Sequence, residues 1–171
     1  MFPAAPPACG SLMATGVQNK SQMNNLAVPG KRHSVLIVSP HGEDHRALIP
    51  VLRPAGWRLD SASGCEEAMN SIDPGSTPVV IVERDLPDGD WKTLHRRLRR
   101  IPLPPKLIVT SRLADERLWA EVLNLGGFDV LAQPFHASEV LRSVNSACGH
   151  WDEEWRNAHS AIQDIHCCAT A

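Results

Sequence analysis

Apolar runs and amphipathic segments alternate along the chain from residue 33 to residue 148. The predicted strands cover residues 35–38, 57–61, 79–83, 107–109 and 128–132. The predicted helices cover residues 47–52, 65–72, 90–100, 114–125 and 137–148. Strands that alternate with helices at this spacing form right-handed βαβ units. The pattern therefore predicts one α/β domain with a parallel sheet between two layers of helices.

The third apolar run indicates the middle of that sheet. Residues 79–82 are four consecutive β-branched residues, as expected of a strand that is buried on both faces. The run ends at the carboxylate of Glu83, and a turn with Pro87 and Gly89 follows. Asp90 is the predicted N-cap of the next helix. Because the carboxyl ends of central parallel strands face the functional crevice of open α/β sheets, Glu83 is the first candidate site residue.

The composition limits which partners and which cellular location we expect for the protein. The formal net charge is −2, which gives no general attraction to nucleic acid or to an anionic membrane surface. Five cysteines without a C-x-x-C pair suit reduced thiols in a cytoplasm better than a disulfide framework. No apolar run approaches the roughly 18 residues of a membrane span, and the amino-terminal segment lacks the features of a signal peptide. We therefore expect a cytoplasmic protein.

Three regions follow from the pattern. Residues 1–32 are rich in Pro, Ala, Gly, Ser and Asn and show no hydrophobic period, so we expect them to be disordered. Residues 33–148 form the predicted domain, and residues 149–171 form a predicted helical tail. The segment after residue 148 is too short to fold as an independent effector domain, so no DNA-binding or enzymatic effector is expected there.

Several short motifs, read in order, resemble the receiver domain of bacterial response regulators over about residues 33–148. The stretches that carry the resemblance are Val35–Val38, Ala55–Trp57, Ser61–Ala68, Leu86–Asp90, Val109–Ser111 and Gly126–Phe135. The resemblance implies a flavodoxin-like (βα)5 three-layer sandwich. Its five-stranded parallel sheet would have the strand order 2-1-3-4-5.

The resemblance also defines a reaction site. Receivers of this family accept a phosphoryl group from a histidine kinase on an aspartate four residues before the loop proline. Two acidic residues after strand one hold Mg²⁺ with that aspartate. A Thr or Ser that ends strand four and a Lys before the proline after strand five bind the phosphoryl oxygens, and an aromatic residue in strand five acts as a switch.

This chain differs from the family pattern at most of those positions. Thr110 is kept, as the residue that ends strand four. The acidic pair is replaced by Ser39 and Pro40, the acceptor by Glu83, the Lys by Gln133 and the aromatic residue by Val130. Without the acidic pair, Mg²⁺ loses most of its oxygen ligands and phosphoryl transfer loses its main electrostatic stabiliser. Loss of the Lys together with the acids avoids an unpaired buried cation.

The departures predict a pseudo-receiver, which is not an enzyme and in which Mg²⁺ binding is lost or weak. No other metal or cofactor is expected. Two interpretations of Glu83 stay open. Its carboxylate could mimic a phosphoryl group by bonding to Thr110 and hold one signalling conformation, or it could be a polar filler bonded to Gln133 and solvent.

An alternative function class rests on His41 and His45. Two imidazoles at i and i+4 can hold Zn²⁺ on one helical face, and with Glu83 they could serve a flavodoxin-like metal-binding protein or enzyme. Solvated histidines are the expected outcome, because Glu43 and Asp44 are ordinary residues for a helix amino terminus. The absence of a Gly-rich phosphate loop after the first strand argues against the flavodoxin-like alternative as a whole.

The carboxyl-terminal region carries a heptad seam. Its apolar positions step by four and three residues from Ala137 to Ile165 across Gly149. The later seam residues Trp151, Trp155, Ile162 and Ile165 are the predicted interaction tail. The open alternative is a short extra helix that folds back onto its own domain. We expect a stand-alone signalling protein that contacts a histidine kinase, another regulator or a second copy through its fourth and fifth helices and tail.

Overall fold

The computed structural model describes residues 33–168, and the side chains of residues 33–159. Residues 1–32, predicted to be disordered, lie outside this part of the chain. The strands are β1 (Ser34–Val38), β2 (Arg58–Ala62), β3 (Val79–Glu83), β4 (Asp85–Leu86), β5 (Gly89–Asp90), β6 (Lys106–Ser111) and β7 (Asp129–Ala132). The helices are α1 (Gly42–Leu52), α2 (Cys65–Ser71), α3 (Trp91–Leu98), α4 (Glu116–Leu125) and α5 (Ala137–Cys168).

Five parallel strands form the main sheet in the order β2-β1-β3-β6-β7. This order is the predicted 2-1-3-4-5 order, once the two-residue strands β4 and β5 are set aside. The register pairs Val38 with Val82 and Glu83 with Thr110. The polar residues that end the neighbouring strands β3 and β6 therefore lie side by side at the carboxyl edge.

Apolar side chains fill the space on both faces of the sheet. Successive residues of β1 point to opposite faces, so that Leu36 and Val38 pack in one core cluster and Val35 and Ile37 in the other. Each fully buried aliphatic side chain contributes about 1.5–3 kcal/mol relative to its exposed state. Two-sided burial explains why the continuous apolar runs predicted the strands well.

Two helix ends follow the predicted local chemistry. The carboxylate of Asp90 accepts a hydrogen bond from the backbone N–H of Thr93 at 2.8 Å and caps α3. Gly126 ends α4 with φ of +93°, a left-handed conformation that glycine adopts without steric cost. The sequence predicted a turn between β3 and α3, and the structure adds the short antiparallel pair β4–β5 within it.

Helix α5 runs without interruption for 32 residues. The domain boundary predicted at residue 148 therefore falls inside a helix. The tail is not a separate short helix, but its first turn packs against its own domain as that alternative expected. Trp151 is fully buried against its own domain, so its assignment to the interaction tail is wrong. The side chains of Ile162 and Ile165 lie outside the described part. No described helix combines the length and apolar character needed to cross a membrane.

Candidate functional site

The candidate site lies at the carboxyl edge of the sheet, around the carboxylate that ends β3. Oε2 of Glu83 accepts a hydrogen bond from Oγ1 of Thr110 at 2.9 Å and another from Nε2 of Gln133 at 2.7 Å. Thr110 is buried at the end of β6, and Gln133 follows β7. Three neighbouring strands thus bring together three of the residues predicted from the sequence.

The first strand contributes a second polar pair to the pocket. Ser39 is buried directly after β1, and its hydroxyl donates to Oδ2 of Asp44 at 2.6 Å. The same hydroxyl oxygen accepts from the backbone N–H of His41 at 3.1 Å. Asp44 belongs to the first turn of α1 and is only 5 % exposed. Pro40, by contrast, is exposed at the surface.

Asp44 changes the composition expected for this pocket. The family pattern places the metal-binding acids at the positions of Ser39 and Pro40, and their replacement predicts Glu83 as the one carboxylate available to a metal. The structure turns Asp44 inward, so a second carboxylate acts on the pocket from α1. Helical periodicity does not distinguish Asp44 from the exposed Glu43 beside it. The sequence signal for the inward orientation of Asp44 is the Ser39 hydroxyl five residues earlier.

The electrostatic environment favours the protonated form of Glu83 more than water does. Burial raises the pKa of this carboxyl, and the negative charge of Asp44 raises it further. The hydrogen bonds from Thr110 and Gln133 lower the pKa and offset part of the effect. The net direction is upward, because burial and the nearby Asp44 outweigh the two hydrogen bonds.

A cation closes the rim of the pocket. The guanidinium of Arg112 lies just after β6, pairs with Glu43 on α1 and places Nε 3.3 Å from Oε1 of Gln133. The side-chain oxygen of Gln133 thus faces Arg112 while its amide nitrogen faces Glu83. Glu43 and Arg112 are both well exposed, so solvent screens their attraction and the pair contributes about 1 kcal/mol or less.

The two histidines do not form the predicted i, i+4 pair. His41 is the N-cap of α1 with an extended backbone and an exposed side chain, and the helix begins only at Gly42. Nε2 of His45 lies 3.0 Å from the carbonyl oxygen of Ser39, which occupies that ring nitrogen. The zinc site predicted for the alternative function is therefore wrong in its geometry, since only one of the two residues has a helical backbone.

Val130 occupies the position of the family's aromatic residue. It is 7 % exposed, pairs with Val109 across the sheet and packs in the core cluster on the α3 and α4 side. Its side chain has no polar atom, so it makes no hydrogen bond to Thr110. The hydroxyl of Thr110 instead lies near Glu83 and, at 3.4 Å, the carbonyl oxygen of Val82.

Comparison with known proteins places this geometry in context. No protein-family model matches the chain. The transcriptional regulatory protein PhoP of Escherichia coli is 32% identical over 113 residues, which are 66% of this chain and 50% of PhoP. The virulence transcriptional regulatory protein PhoP of Salmonella typhi shows the same identity and coverage. The chain thus spans about half the length of the curated relatives that it matches.

Solved structures agree with the sequence comparison. A response regulator from Chloroflexus aurantiacus matches with a TM-score of 0.64 and 29% identity, covering 70% of this chain and 99% of its own. The signal receiver domain of an HD domain-containing protein from Pseudomonas fluorescens matches in fold with a TM-score of 0.68 at 24% identity. That match covers 77% of this chain and 98% of the other.

Proposed function

This chain belongs to the response-regulator receiver family, and from this premise we propose that it serves two-component signalling as a pseudo-receiver. It acts in the bacterial cytoplasm by protein–protein contact, without phosphorylation at the acceptor position. It is not an enzyme, and it needs no Mg²⁺ for its role. The reduced, buried thiols of Cys65 and Cys148 agree with a cytoplasmic location.

One observation carries this proposal: the carboxylate of Glu83 is already bonded by the groups that would bind a phosphoryl group. Thr110 and Gln133 both donate to its Oε2. An acceptor needs a divalent ion to neutralise developing charge and a cation near the transferred oxygens. Gln133 supplies an amide where the family has a Lys, and Ser39 bonds to Asp44 where the family has an acid.

The bond from Thr110 to Glu83 supports a fixed signalling state. Receivers of the family change conformation when the residue at the position of Thr110 binds a phosphoryl oxygen, as the resemblance implies. Here the longer side chain of glutamate carries a carboxylate oxygen to 2.9 Å from that hydroxyl. Glu83 thus mimics a phosphoryl group permanently and holds the pocket in one conformation.

An exposed apolar face supports a contact role. Four large apolar residues on α4 and the loop before it are solvent-exposed: Leu113, Trp119, Leu123 and Leu125, with Trp119 51% exposed. Exposed aromatic and aliphatic clusters of this kind are typical of interaction sites. The proposed partner is a histidine kinase or another regulator. A second copy of the chain is the alternative partner, bound through α5 and in particular through its residues 149–168, the α5 extension.

Acetyl phosphate with Mg²⁺ tests the loss of acceptor function. Full-length protein is incubated with both, and its intact mass is measured. We expect no added phosphoryl group, because Glu83 lacks the ligand set for the metal. A stable adduct on the unaltered protein would contradict the proposal.

A fourfold variant provides the matched control. Ser39→Asp, Pro40→Asp, Glu83→Asp and Gln133→Lys together restore the family's ligands in the same fold. We expect this variant to gain a Mg²⁺-dependent adduct under identical conditions. The gain would show that the fold is competent and that these four positions account for the loss.

Sedimentation distinguishes a second copy from another partner. The full chain is compared with a chain shortened to residue 159, which keeps the buried Trp151, and with the variant Trp119→Glu. A dimer that becomes monomeric on shortening identifies the α5 extension as the contact. A dimer lost only in Trp119→Glu assigns the contact to α4, and a full-length monomer excludes self-pairing.

A further inference from the structure

A second cluster of polar side chains lies at the amino edge of the sheet, opposite the pocket of Glu83. His33 directly precedes β1, and Cys148 and Asp152 lie on α5 at i and i+4, on one face of the helix. Their ligand atoms lie within 4.8 Å of one another. In the described part of the chain, no other three His, Cys, Asp or Glu side chains converge in this way.

The distances within the cluster are short. Nε2 of His33 lies 3.4 Å from Oδ1 of Asp152. Sγ of Cys148 lies 3.6 Å from Oδ2 of the same carboxylate. Zinc bonds of about 2.0–2.3 Å with tetrahedral angles separate neighbouring ligand atoms by roughly 3.3–3.6 Å. Each of these two contacts, which end on different oxygens of Asp152, is therefore about as long as one edge of a tetrahedral zinc site.

His33 is the observation that points to a ligand. Its side chain is 7% exposed, yet neither ring nitrogen makes a hydrogen bond to any residue that the structure describes. The contact with Asp152 at 3.4 Å lacks hydrogen-bond geometry. A buried polar group without a hydrogen bond destabilises the folded protein, and native structures rarely contain one. A metal bond from Nε2 would satisfy one of these two ring nitrogens.

We propose that His33, Cys148 and Asp152 bind a Zn²⁺ ion at the amino edge of the sheet. Imidazole nitrogen, thiolate sulfur and carboxylate oxygen are the ligand types that zinc takes in proteins. The thiol of Cys148 releases its proton to water on binding. One thiolate and one carboxylate then balance the two charges of the ion, so the filled site is neutral where it is buried. A water molecule takes the fourth position.

The surroundings of the cluster suit a structural ion. The ring of His33 contacts Trp151 edge to face, with 5.8 Å between centroids, and this packing fixes the orientation of the imidazole. The ion would join the residue before β1 to the fourth turn of α5, and so fix the carboxyl-terminal part of α5 to the sheet.

Cobalt and zinc titrations of full-length, metal-free, reduced protein test the site. Co²⁺ reports its ligands by a thiolate charge-transfer band and by intense visible bands when it is tetrahedral. We expect one tetrahedral Co²⁺ per chain with a thiolate band, displaced by one equivalent of Zn²⁺. Absence of the thiolate band or of saturable zinc binding would overturn the proposal.

Point variants assign the ligands. Cys148→Ser and His33→Gln should each weaken zinc binding by about 100-fold or more, because they remove a direct ligand. Cys65→Ser is the matched control, since Cys65 is the other buried free cysteine in the described part and lies near Asp88 instead. Cys65→Ser should bind as the unaltered protein does. Binding that survives both ligand variants would contradict the site.

The cysteines near the carboxyl terminus need their own control. Cys167→Ser together with Cys168→Ser removes the two thiols beside His166 without touching the proposed site. Unchanged binding in this double variant supports the cluster, and loss of binding would place the ion at the terminus and overturn the proposal.

Thermal unfolding gives a readout independent of spectroscopy. Zinc at a hundredfold excess over Kd should raise the Tm of the unaltered protein by about 5–10 °C. The Tm of Cys148→Ser should not respond to zinc, while its far-ultraviolet circular dichroism in metal-free buffer should match that of the unaltered protein. If this variant does not fold, Asp152→Asn replaces it in the same comparison. An equal rise in Tm in the ligand variants would refute the site.

Discussion

The two edges of the sheet differ in how completely their polar groups are paired. At the carboxyl edge, Glu83 receives two hydrogen bonds and Asp44 receives one from Ser39. At the amino edge, His33 is buried with both ring nitrogens outside hydrogen-bond geometry. The family resemblance predicts a metal and a phosphoryl group at the carboxyl edge. The pairing of polar atoms, in contrast, indicates a metal site at the amino edge.

A site that has lost its ligand can be recognised by the way in which its polar groups pair with each other. When a protein no longer binds an ion, its remaining polar groups must pair with each other, because an unpaired buried group is costly. The polar groups in the pocket of Glu83 are paired in this way through short side-chain bonds, as the proposed loss of its ion requires. A site that still binds an ion keeps groups that the protein alone does not satisfy, as at His33.

The largest expected effect comes from the amino edge. Trp151→Ala should lower the free energy of unfolding by about 3–5 kcal/mol, because it removes a fully buried indole from the contact between α5 and His33. Urea unfolding followed by circular dichroism in metal-free buffer measures the change.

Trp155→Ala is the control for that variant. Trp155 is only partly buried and stacks on the exposed His159 at 3.8 Å between centroids, so its loss should cost about 1 kcal/mol or less. Equal effects of the two substitutions would contradict the assignment of Trp151 to the core and Trp155 to the surface.

At the carboxyl edge, Ser39→Ala should cost about 1.5–3 kcal/mol. The substitution leaves the buried carboxylate of Asp44 without its 2.6 Å donor. Ser63→Ala is the matched control, because the Ser63 hydroxyl makes a similar bond to Glu67 in an exposed position and should cost about 0.5 kcal/mol or less. Chemical unfolding of both variants at neutral pH measures the difference. No loss in Ser39→Ala would show that the pocket does not depend on internal pairing.

The smallest expected effect is the pH dependence of Glu83. Its folded-state pKa lies above the ordinary 4.5, so the folded state holds a proton that the unfolded state has released between these two values. This carboxyl therefore lowers stability as pH rises through that window, and the loss persists at pH 7. Glu83→Gln removes the charge, and its amide oxygen can still accept from Thr110 and Gln133.

The variant Glu83→Gln should thus be more stable than the unaltered protein at pH 7, by about 1 kcal/mol or less because solvent screens the half-buried group. The difference should shrink as pH falls to 4.5. Unfolding curves at several pH values measure it. A variant that becomes relatively more stable as pH falls would reverse the predicted sign.

The sequence predicted the sheet better than it predicted the site. Strands β1 and β3 are continuous apolar runs because both of their faces are buried, and their short length and β-branched residues favour a strand over a buried helix. The caps at Asp90 and Gly126 follow from local chemistry that depends on a few neighbouring residues. Glu83, Thr110 and Gln133 came together because the register of parallel strands aligns their carboxyl ends.

Other features depend on contacts that periodicity does not encode. A step of four and three residues is common to a helix that pairs with a partner and a helix that packs on its own domain, so the seam did not reveal that Trp151 is buried. The inward turn of Asp44 depends on the hydroxyl of Ser39, and the convergence of His33 with Cys148 depends on how far α5 extends along the sheet. Both contacts can be identified only from the three-dimensional arrangement of the helices and strands.

Amide NMR of the full-length protein tests the contrast between the two edges most directly. Mg²⁺ at millimolar concentration is added to one metal-free sample and equimolar Zn²⁺ to another. We expect Zn²⁺ to shift the resonances of His33, Cys148 and Asp152 while Mg²⁺ leaves those of Glu83 and Thr110 unchanged. Saturable Mg²⁺ shifts around Glu83, with no zinc response at the amino edge, would contradict the account.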